Sequence, residues 1–346
     1  MRAVQFRAHG DRDVIGYDDY PEPEAGRDEV LVDVRAAAVN HLDVWTRRGL
    51  PGVDLQMPHV PGSDAAGVVR EVGDAVSRFE PGDHVAVSAG VSCGTCEFCR
   101  HGEPSMCVDY HLLGEHVEGV HAERVAVPAD NLVAVPDGVD WTVAGSASLV
   151  FQTAWRMLVT RGELRPGESI LVLGASGGVG HAAVQIADYV GCEVFATASS
   201  AEKRSYAAEL GADHTLDYEA TDFADEVRSL TDGRGVDVVV DHVGAATWRD
   251  SLRSLAKGGR LLTCGATTGG NPETDVNRIF WNQLEVIGST MATPGETDDV
   301  LGLVWDGTFE PRIRETLPMS ETARAHEMLE KREGFGKVVL RPDSEF

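Results

Sequence analysis

The sequence predicts a two-domain α/β protein in which a β-rich domain is followed by a doubly wound parallel sheet. Three observations carry the prediction. Residues 1–135 are short β-rich runs broken by glycine, proline and aspartate. Between about 150 and 290, apolar strands alternate with helical patterns, the signature of a parallel sheet. Residues 291–346 return to the style of the first segment, so the middle, strand–helix domain reads as an insertion. The length, 346 residues, fits two domains at roughly 150 residues each.

The elements follow in order. VLVDVRAAAV (30–39), AAGVVREVG (65–73), DHVAVSAG (83–90) and AERVAVP (122–128) cluster β-branched residues between turns, and PGD (81–83) and PDG (136–138) mark two of those turns. This reads as a barrel or sandwich over 1–150. ASLVFQTAWRMLVT (147–160) has helical spacing, closed by RPGE (165–168). SILVLG (169–174) is a buried strand and GGVGHAAVQIADYVG (177–191) a helix ended by glycine. CEVFATA (192–198) and the helix AEKRSYAAELG (201–211) repeat the unit; HTLDY, the helical DFADEVRSLTDG and GVDVVVDHVG (235–244) extend it. A helix from Trp248 to Leu255, then GRLLTCG (259–265) and LEVIGSTM (284–291), complete the domain assigned to 151–290. The final segment, 291–346, holds the amphipathic helix SETARAHEMLEK (320–331) and the strand GKVVLRP (336–342).

Charge narrows the function. With 56 acidic and 30 basic side chains the net charge is −26, which repels nucleic-acid phosphates and anionic lipid, so neither is expected as a partner. No apolar run reaches the roughly 18 residues of a membrane span, and MRAVQFRAHGDRDV lacks a signal-peptide core, so a cytoplasmic location is expected. Of the 30 basic residues only Lys203, Lys257, Lys331 and Lys337 are lysines. Acid excess with few lysines resembles proteins of organisms that accumulate molar salt, where a Debye length of about 3 Å makes carboxylate self-repulsion small.

Two motifs carry chemistry. Cys93, Cys96, Cys99 and Cys107 form C-x2-C-x2-C-x7-C, in a lobe at about 90–110. Four thiolates at this spacing close a tetrahedron around Zn²⁺ and leave no open position, which makes one such zinc structural. An iron–sulfur cluster is the competing reading, although the cysteine-proline of the bacterial ferredoxin run is missing. A disulfide framework conflicts with the expected compartment, and Cys192 and Cys264 read as core residues. The second motif is a glycine turn between strand and helix: Gly174, Ser176, Gly177, Gly178, Val179 and Gly180, with Ala175 in the first place of the G-x-G-x-x-G frame. Such a turn lets backbone approach a pyrophosphate at the helix N-terminus. The next strand ends in Ser199 and Ser200 without the acid that an NAD ribose wants, and Lys203 and Arg204 follow. A hydroxyl and two cations suit a 2′-phosphate, so NADPH is expected over NADH.

In combination, the cysteine lobe near residue 100 and the dinucleotide fold from about 150 resemble the zinc-containing medium-chain dehydrogenase/reductase superfamily. The resemblance implies a GroES-like catalytic domain, a Rossmann domain, a C-terminus that returns to the catalytic domain, and homodimers or homotetramers built through the cofactor domains. Alcohol-dehydrogenase members hold a catalytic zinc by a cysteine in C-H-x-D, a histidine in G-H-E and a later cysteine. Here those stretches read Asn40-His41-Leu42-Asp43, Gly62-Ser63-Asp64 and Ser148-Leu149-Val150, poor ligand sets for zinc. Val39, Asn40, Asp43, Arg47 and Gly49 instead match V-N-x-x-D-x-x-x-R-x-G of the quinone oxidoreductase and enoyl reductase branch, which lacks catalytic zinc and favours NADPH. That branch implies 2′-phosphate contacts at Lys203 and Tyr218. The segment Asp241-His242-Val243-Gly244, Val243 among the cofactor contacts, ends a central strand and is expected to face the nicotinamide.

The expected reaction is hydride transfer from NADPH to a small quinone or α,β-unsaturated carbonyl compound. Asn40 would serve as an amide donor to developing enolate charge, His41 as proton donor and Asp43 as an orienting residue. Trp45, Phe151 and Trp281 are candidates for an apolar substrate wall. Two alternatives stand: a zinc alcohol dehydrogenase with ligands displaced onto His41, His59, Asp64, Glu115 or His116, and a catalytically silent cofactor-binding protein.

Overall fold

The computed structural model describes residues 1–346, which divide into two compact units, Met1–Leu149 with Thr293–Phe346, and Val150–Ala292.

The first unit is β-rich. β1 (Arg2–Phe6) and β2 (Ile15–Asp19) form an antiparallel ribbon. β3 (Glu29–Val39) is the long strand of a seven-stranded sheet and is buried along nearly its whole length, which is why its apolar run hardly alternates. α1 (His41–Arg48) follows it directly. β4 (Asp64–Val72) pairs antiparallel with β3, placing Ala38 opposite Asp64, and β5 (His84–Val87) continues the sheet. The cysteine lobe occupies the excursion from the two-residue β6 (Gly90–Val91) through α2 (Glu97–Arg100) to β7 (His111–Leu112), with which β6 pairs. β8 (Arg124–Pro128) pairs with β3 and β9 (Leu132–Ala134) with β5. α3 (Trp141–Trp155) packs close: a side-chain carbon on Gly145 would lie 2.6 Å from the Ala36 carbonyl oxygen. The helix begins six residues before the expected start, because Asp140 accepts the Thr142 N–H at 2.7 Å and caps it. It ends in a π-helical turn, Arg156–Arg161, closed by the Gly162 N–H on the Met157 carbonyl.

The second unit is a six-stranded parallel sheet. β10 (Ser169–Val172), β11 (Glu193–Ala198), β12 (His214–Asp217), β13 (Val236–Val240), β14 (Leu255–Thr263) and β15 (Glu285–Gly288) stand in the order β12-β11-β10-β13-β14-β15. The winding reverses between β10 and β13, and ligands of such sheets bind outside the carboxyl ends of the strands at that point. α4 (Gly178–Val190), α5 (Ala201–Glu209), α6 (Phe223–Leu230), α7 (Trp248–Ser254) and α8 (Val276–Asn282) link the strands. Leu171, Phe195, Val239 and Leu261 build the core between sheet and helices. β14 starts earlier than its apolar run because Leu255 already pairs with Val236; the Lys-Gly-Gly that follows is absorbed by an irregularity before Arg260 joins Val238.

The chain then re-enters the first unit with α9 (Pro294–Trp305), β16 (Ile313–Pro318), α10 (Thr322–Glu330) and β17 (Lys337–Arg341). β17 lies antiparallel to β3, Val338 opposite Val39, and parallel to β16. No helix is long and apolar enough to cross a membrane.

Candidate functional site

In the first unit β3, β4 and β17 bring Asn40, Asp64 and Lys337 together. Asp64 is fully buried and Lys337 is 3 % exposed. The Lys337 ammonium donates to Asn40 Oδ1 and, at 3.1 Å, to Asp64 Oδ2. Asp64 also accepts Asn40 Nδ2 at 2.9 Å and the Leu149 N–H at 2.7 Å. The other amide hydrogen of Asn40 faces the Ala38 carbonyl at 3.4 Å. Asn40 is therefore a buried link in an ionic cluster, and serving an oxyanion would require it to give up the longer bond.

Asp43 lies in the same layer, fully buried, and accepts the Asn40 N–H at 2.7 Å and the Gly62 N–H at 3.1 Å. Burial pushes its carboxyl above the usual range. It ties the start of α1 to the turn before β4. Gly62 (φ +108°) makes room for His121: a side-chain carbon there would sit 2.3 Å from the imidazole. His121 is fully buried, lowered by desolvation, and approaches the Ala38 carbonyl at 3.4 Å. His41 is exposed on α1, its ring 6.2 Å from that of Trp45. Lys337 and His121 had not been singled out from the sequence. Lys337 was legible in principle, as one of four lysines and the one that opens an apolar strand.

The alcohol-dehydrogenase zinc positions hold donors that do not fit the metal. Both polar atoms of Asn40 are bound as above, Ser63 Oγ donates to the Leu113 carbonyl at 2.8 Å, and the third position is Ser148. The displaced set is spread over separate bonds: His59 Nε2 meets the Gly114 carbonyl at 3.1 Å, His116 Nδ1 accepts the Leu112 N–H at 3.2 Å, and Asp64 belongs to Lys337.

The four cysteines do converge, their sulfurs all within 4.8 Å of one another. Tetrahedral Zn–S bonds of about 2.3 Å put sulfurs about 3.8 Å apart, so the cage fits zinc. Backbone N–H groups already point at the sulfurs: Cys93 onto Cys107 at 3.3 Å, Cys96 onto Cys93 at 3.3 Å and Asp109 onto Cys107 at 3.4 Å. The Thr95 N–H and hydroxyl, with the Cys96 N–H, hold the Cys93 thiol down at about 6, favouring the ligating thiolate.

In the second unit the glycine turn joins β10 to α4. Gly174 has φ +59°, and a side-chain carbon on Gly180 would lie 2.2 Å from the Gly174 carbonyl oxygen, so the last glycine lets helix and turn close. Ala175 is fully buried, its N–H on the Thr197 carbonyl at 3.1 Å, while Ser176, Gly177, Gly178 and Val179 form the partly exposed lip. At the next strand end Lys203 Nζ lies 3.5 Å from Ser199 Oγ. Ala198 pairs with Asp217, which brings Tyr218, 39 % exposed, beside Ser199. Arg204 points elsewhere, onto Asp217 Oδ2 at 2.6 Å. Val243 is braced at the end of β13: its N–H reaches Asp241 at 2.9 Å and its carbonyl accepts the Thr268 N–H at 2.8 Å. The expected substrate wall divides. Phe151 is fully buried core because it sits inside the α3 packing, Trp281 stands 76 % exposed on α8, and Trp45 is partly exposed.

Comparison with known proteins agrees with this architecture. Residues 26–137 match the family model of the alcohol dehydrogenase GroES-like domain, and 178–306 that of the zinc-binding dehydrogenase. The chain is 32 % identical to an acryloyl-coenzyme A reductase of Sulfurisphaera tokodaii, over 94 % of this chain and 96 % of that protein. It is 34 % identical to a quinone oxidoreductase of Pseudomonas aeruginosa, over 99 % of both. A crystal structure of an NAD-dependent alcohol dehydrogenase superposes with a TM-score of 0.95 at 44 % identity, over 99 % of each chain. With a GroES-like sheet, a Rossmann sheet and a four-cysteine lobe in one chain, this protein belongs to the medium-chain dehydrogenase/reductase superfamily and is an oxidoreductase of that family.

Proposed function

We propose that the protein is an NADPH-dependent reductase that transfers hydride to a small quinone or α,β-unsaturated carbonyl substrate without a catalytic zinc, and that it carries one structural zinc. The observation that carries the reading is the bonding of Asn40: both polar atoms are committed to Lys337 and Asp64 where a zinc enzyme places a cysteine. When bound, NADPH supplies the hydride. The lip Ser176–Val179 and the N-terminus of α4 offer N–H groups to the pyrophosphate, and Ser199, Lys203 and Tyr218 surround the place of a 2′-phosphate, with the charge of Arg204 already balanced by Asp217. Asp43 orients the Asn40–Gly62 backbone, and His41, exposed at the start of α1, is the group able to hand a proton to the substrate.

A cytoplasmic setting fits six free cysteines. A homodimer or homotetramer through the second unit is supported by Val276, Phe280, Trp281 and Val286, all exposed beside the open edge strand β15.

The second reading, a zinc alcohol dehydrogenase, is favoured by the 44 % identity to the NAD-dependent enzyme. Metal analysis separates the two: about one zinc per chain supports the reductase, and two support the alcohol dehydrogenase. NADPH oxidation with a panel of quinones, enoyl thioesters and aldehydes tests the substrate class. Turnover of aldehydes alone, or of nothing while NADPH still binds, overturns the proposal.

A further inference from the structure

The loop after the cysteine lobe carries two polar side chains that the reaction above leaves unused. Glu115 and His116 follow β7, and their loop is bolted to the segment that leads into β4. The Leu113 carbonyl accepts the Ser63 hydroxyl at 2.8 Å, and the Gly114 carbonyl meets His59 Nε2 at 3.1 Å. Gly114 has φ +81°, and a side-chain carbon there would lie 2.4 Å from the Gly62 carbonyl oxygen, so the two backbones touch. Gly62 in turn gives its N–H to Asp43. Glu115 thus stands one residue beyond a backbone contact with the turn that Asp43 ties to α1.

Bonding within the loop fixes the tautomer of the ring. The N–H groups of Glu115 and His116 turn back onto the Leu112 carbonyl at 3.1 and 3.0 Å, and the Leu112 N–H donates to His116 Nδ1 at 3.2 Å. With Nδ1 an acceptor, the ring carries its proton on Nε2. His116 Nε2 and Glu115 Oε1 stand 4.0 Å apart, too far to bond to each other. It is the spacing of two donors that share one acceptor: an oxygen about 2.9 Å from each would see them at an angle of about 90°. Both tips reach solvent, the Glu115 side chain 15 % exposed and that of His116 31 %. Asn40, Asp64 and Lys337, by contrast, close on one another.

We propose that Glu115 and His116 form the carbonyl-binding hole of the enzyme: the Glu115 carboxylic acid and the His116 Nε2–H both donate to the carbonyl oxygen of a quinone or enone. The inference rests on the reductase reading and supplies the oxyanion donors that Asn40, committed to Lys337 and Asp64, does not. As hydride from NADPH bonds to the β-carbon of an enone, the double-bond electron pair moves onto this oxygen, where the two donors hold the enolate. The enolate then takes at its α-carbon the proton that His41 hands over, and water reprotonates His41.

Such a hole needs a neutral Glu115. Burial alone acts on that carboxyl and raises it, and burial and His111 together lower His116, so both groups are held toward their neutral forms. The titratable groups facing the pair are His111 on β7, its ring 5.6 Å from that of His116 and its Nε2 3.9 Å from Asp109, and His59 across the Gly114 carbonyl. Glu118, farther along the loop, accepts the Val60 N–H at 2.8 Å.

The test is isotope-edited infrared spectroscopy of carbonyl-labelled cyclohexanone on the intact protein with NADP⁺, beside steady-state reduction of cyclohexenone by NADPH. In wild type the bound carbonyl stretch should lie below its frequency in water. Glu115→Ala should lose most of that shift and about a hundredfold in kcat, with KM changed little. Glu115→Gln keeps an N–H donor and should restore part of both. Wild-type kcat should fall as pH rises through the raised Glu115 value, and E115Q should lack that limb. A stretch and kcat unchanged in an E115A that melts as wild type does, or the wild-type pH limb retained in E115Q, would sink the inference and leave the reductase reading standing. Turnover of aldehydes alone, with the shift still dependent on Glu115, would keep the carbonyl-binding hole and overturn the reductase reading.

Discussion

Removing the ammonium from the Asn40–Asp64–Lys337 cluster should unfold the first unit far more readily than an exposed charge deletion would. Lys337→Met keeps the length of the side chain and deletes its charge, leaving a fully buried Asp64 carboxylate with two hydrogen bonds, from Leu149 and Asn40, and no counter-charge. Breaking a buried pair from one side costs about 3–5 kcal/mol. The two remaining hydrogen bonds argue for the lower end, about 3 kcal/mol, or about 1 M in urea midpoint for a unit of this size. Molar KCl should not rescue the loss, because screening hardly reaches a buried pair. Trp141 and Trp305 pack against the Ala66–Ala86 core of the same unit, so tryptophan emission at constant KCl follows the transition. K337M/D64L, with both charges gone, should recover most of the loss. A cost below about 1 kcal/mol for K337M, or a double variant less stable than the single, would refute the reasoning.

Four further outcomes follow from the same structure. Cys107→Ser should abolish zinc binding at the proposed four-cysteine site and lower the melting temperature while cofactor binding persists; loss of activity with unchanged melting would contradict a structural metal. Lys203→Ala should weaken NADPH by about tenfold or more and leave NADH unaffected, read by fluorescence titration, and equal weakening of both cofactors would remove Lys203 from the 2′-phosphate site. His59, His121 and His326 are all held below the ordinary histidine value by burial, so below about pH 6.5 the unfolded chain binds protons that the folded chain refuses. Stability should therefore fall from pH 7 toward 5.5, by about 1.4 kcal/mol per pH unit for each ring that stays neutral, and a flat melting profile would contradict it. With a net charge of −26, melting temperature and activity should rise from dilute buffer toward molar KCl; full activity without salt would refute the halophilic reading.

Most of the fold was legible because its signals are local. Unbroken apolar strands, glycine-ended helices and the C-x2-C-x2-C spacing each state their role within a dozen residues. Boundaries were less so: Asp140 moved the start of α3 through a single capping bond that no periodicity displays. The polar cluster was the least legible part. Asn40 and Asp64 stood out by what they replace, but their partner is 297 residues from Asn40, and only the closing of β17 onto β3 joins them. Arg204 was equally hard to read: two adjacent cations look equivalent in sequence, and only the fold shows that one of them pairs with Asp217.

That same β17–β3 pairing sets a clock on biosynthesis. β17 is made about 300 residues after β3, which at translation rates of about 5–20 residues per second is a wait of roughly 15–60 s. Through that interval the sheet of the first unit lacks the strand at one flank, and before its end every strand of the second unit has been synthesised and can pair. The nascent chain therefore holds an open, alanine-lined strand edge on the ribosome, and the early release of a truncated product would leave it open for good. The net charge of −26 also makes such half-made sheets repel one another.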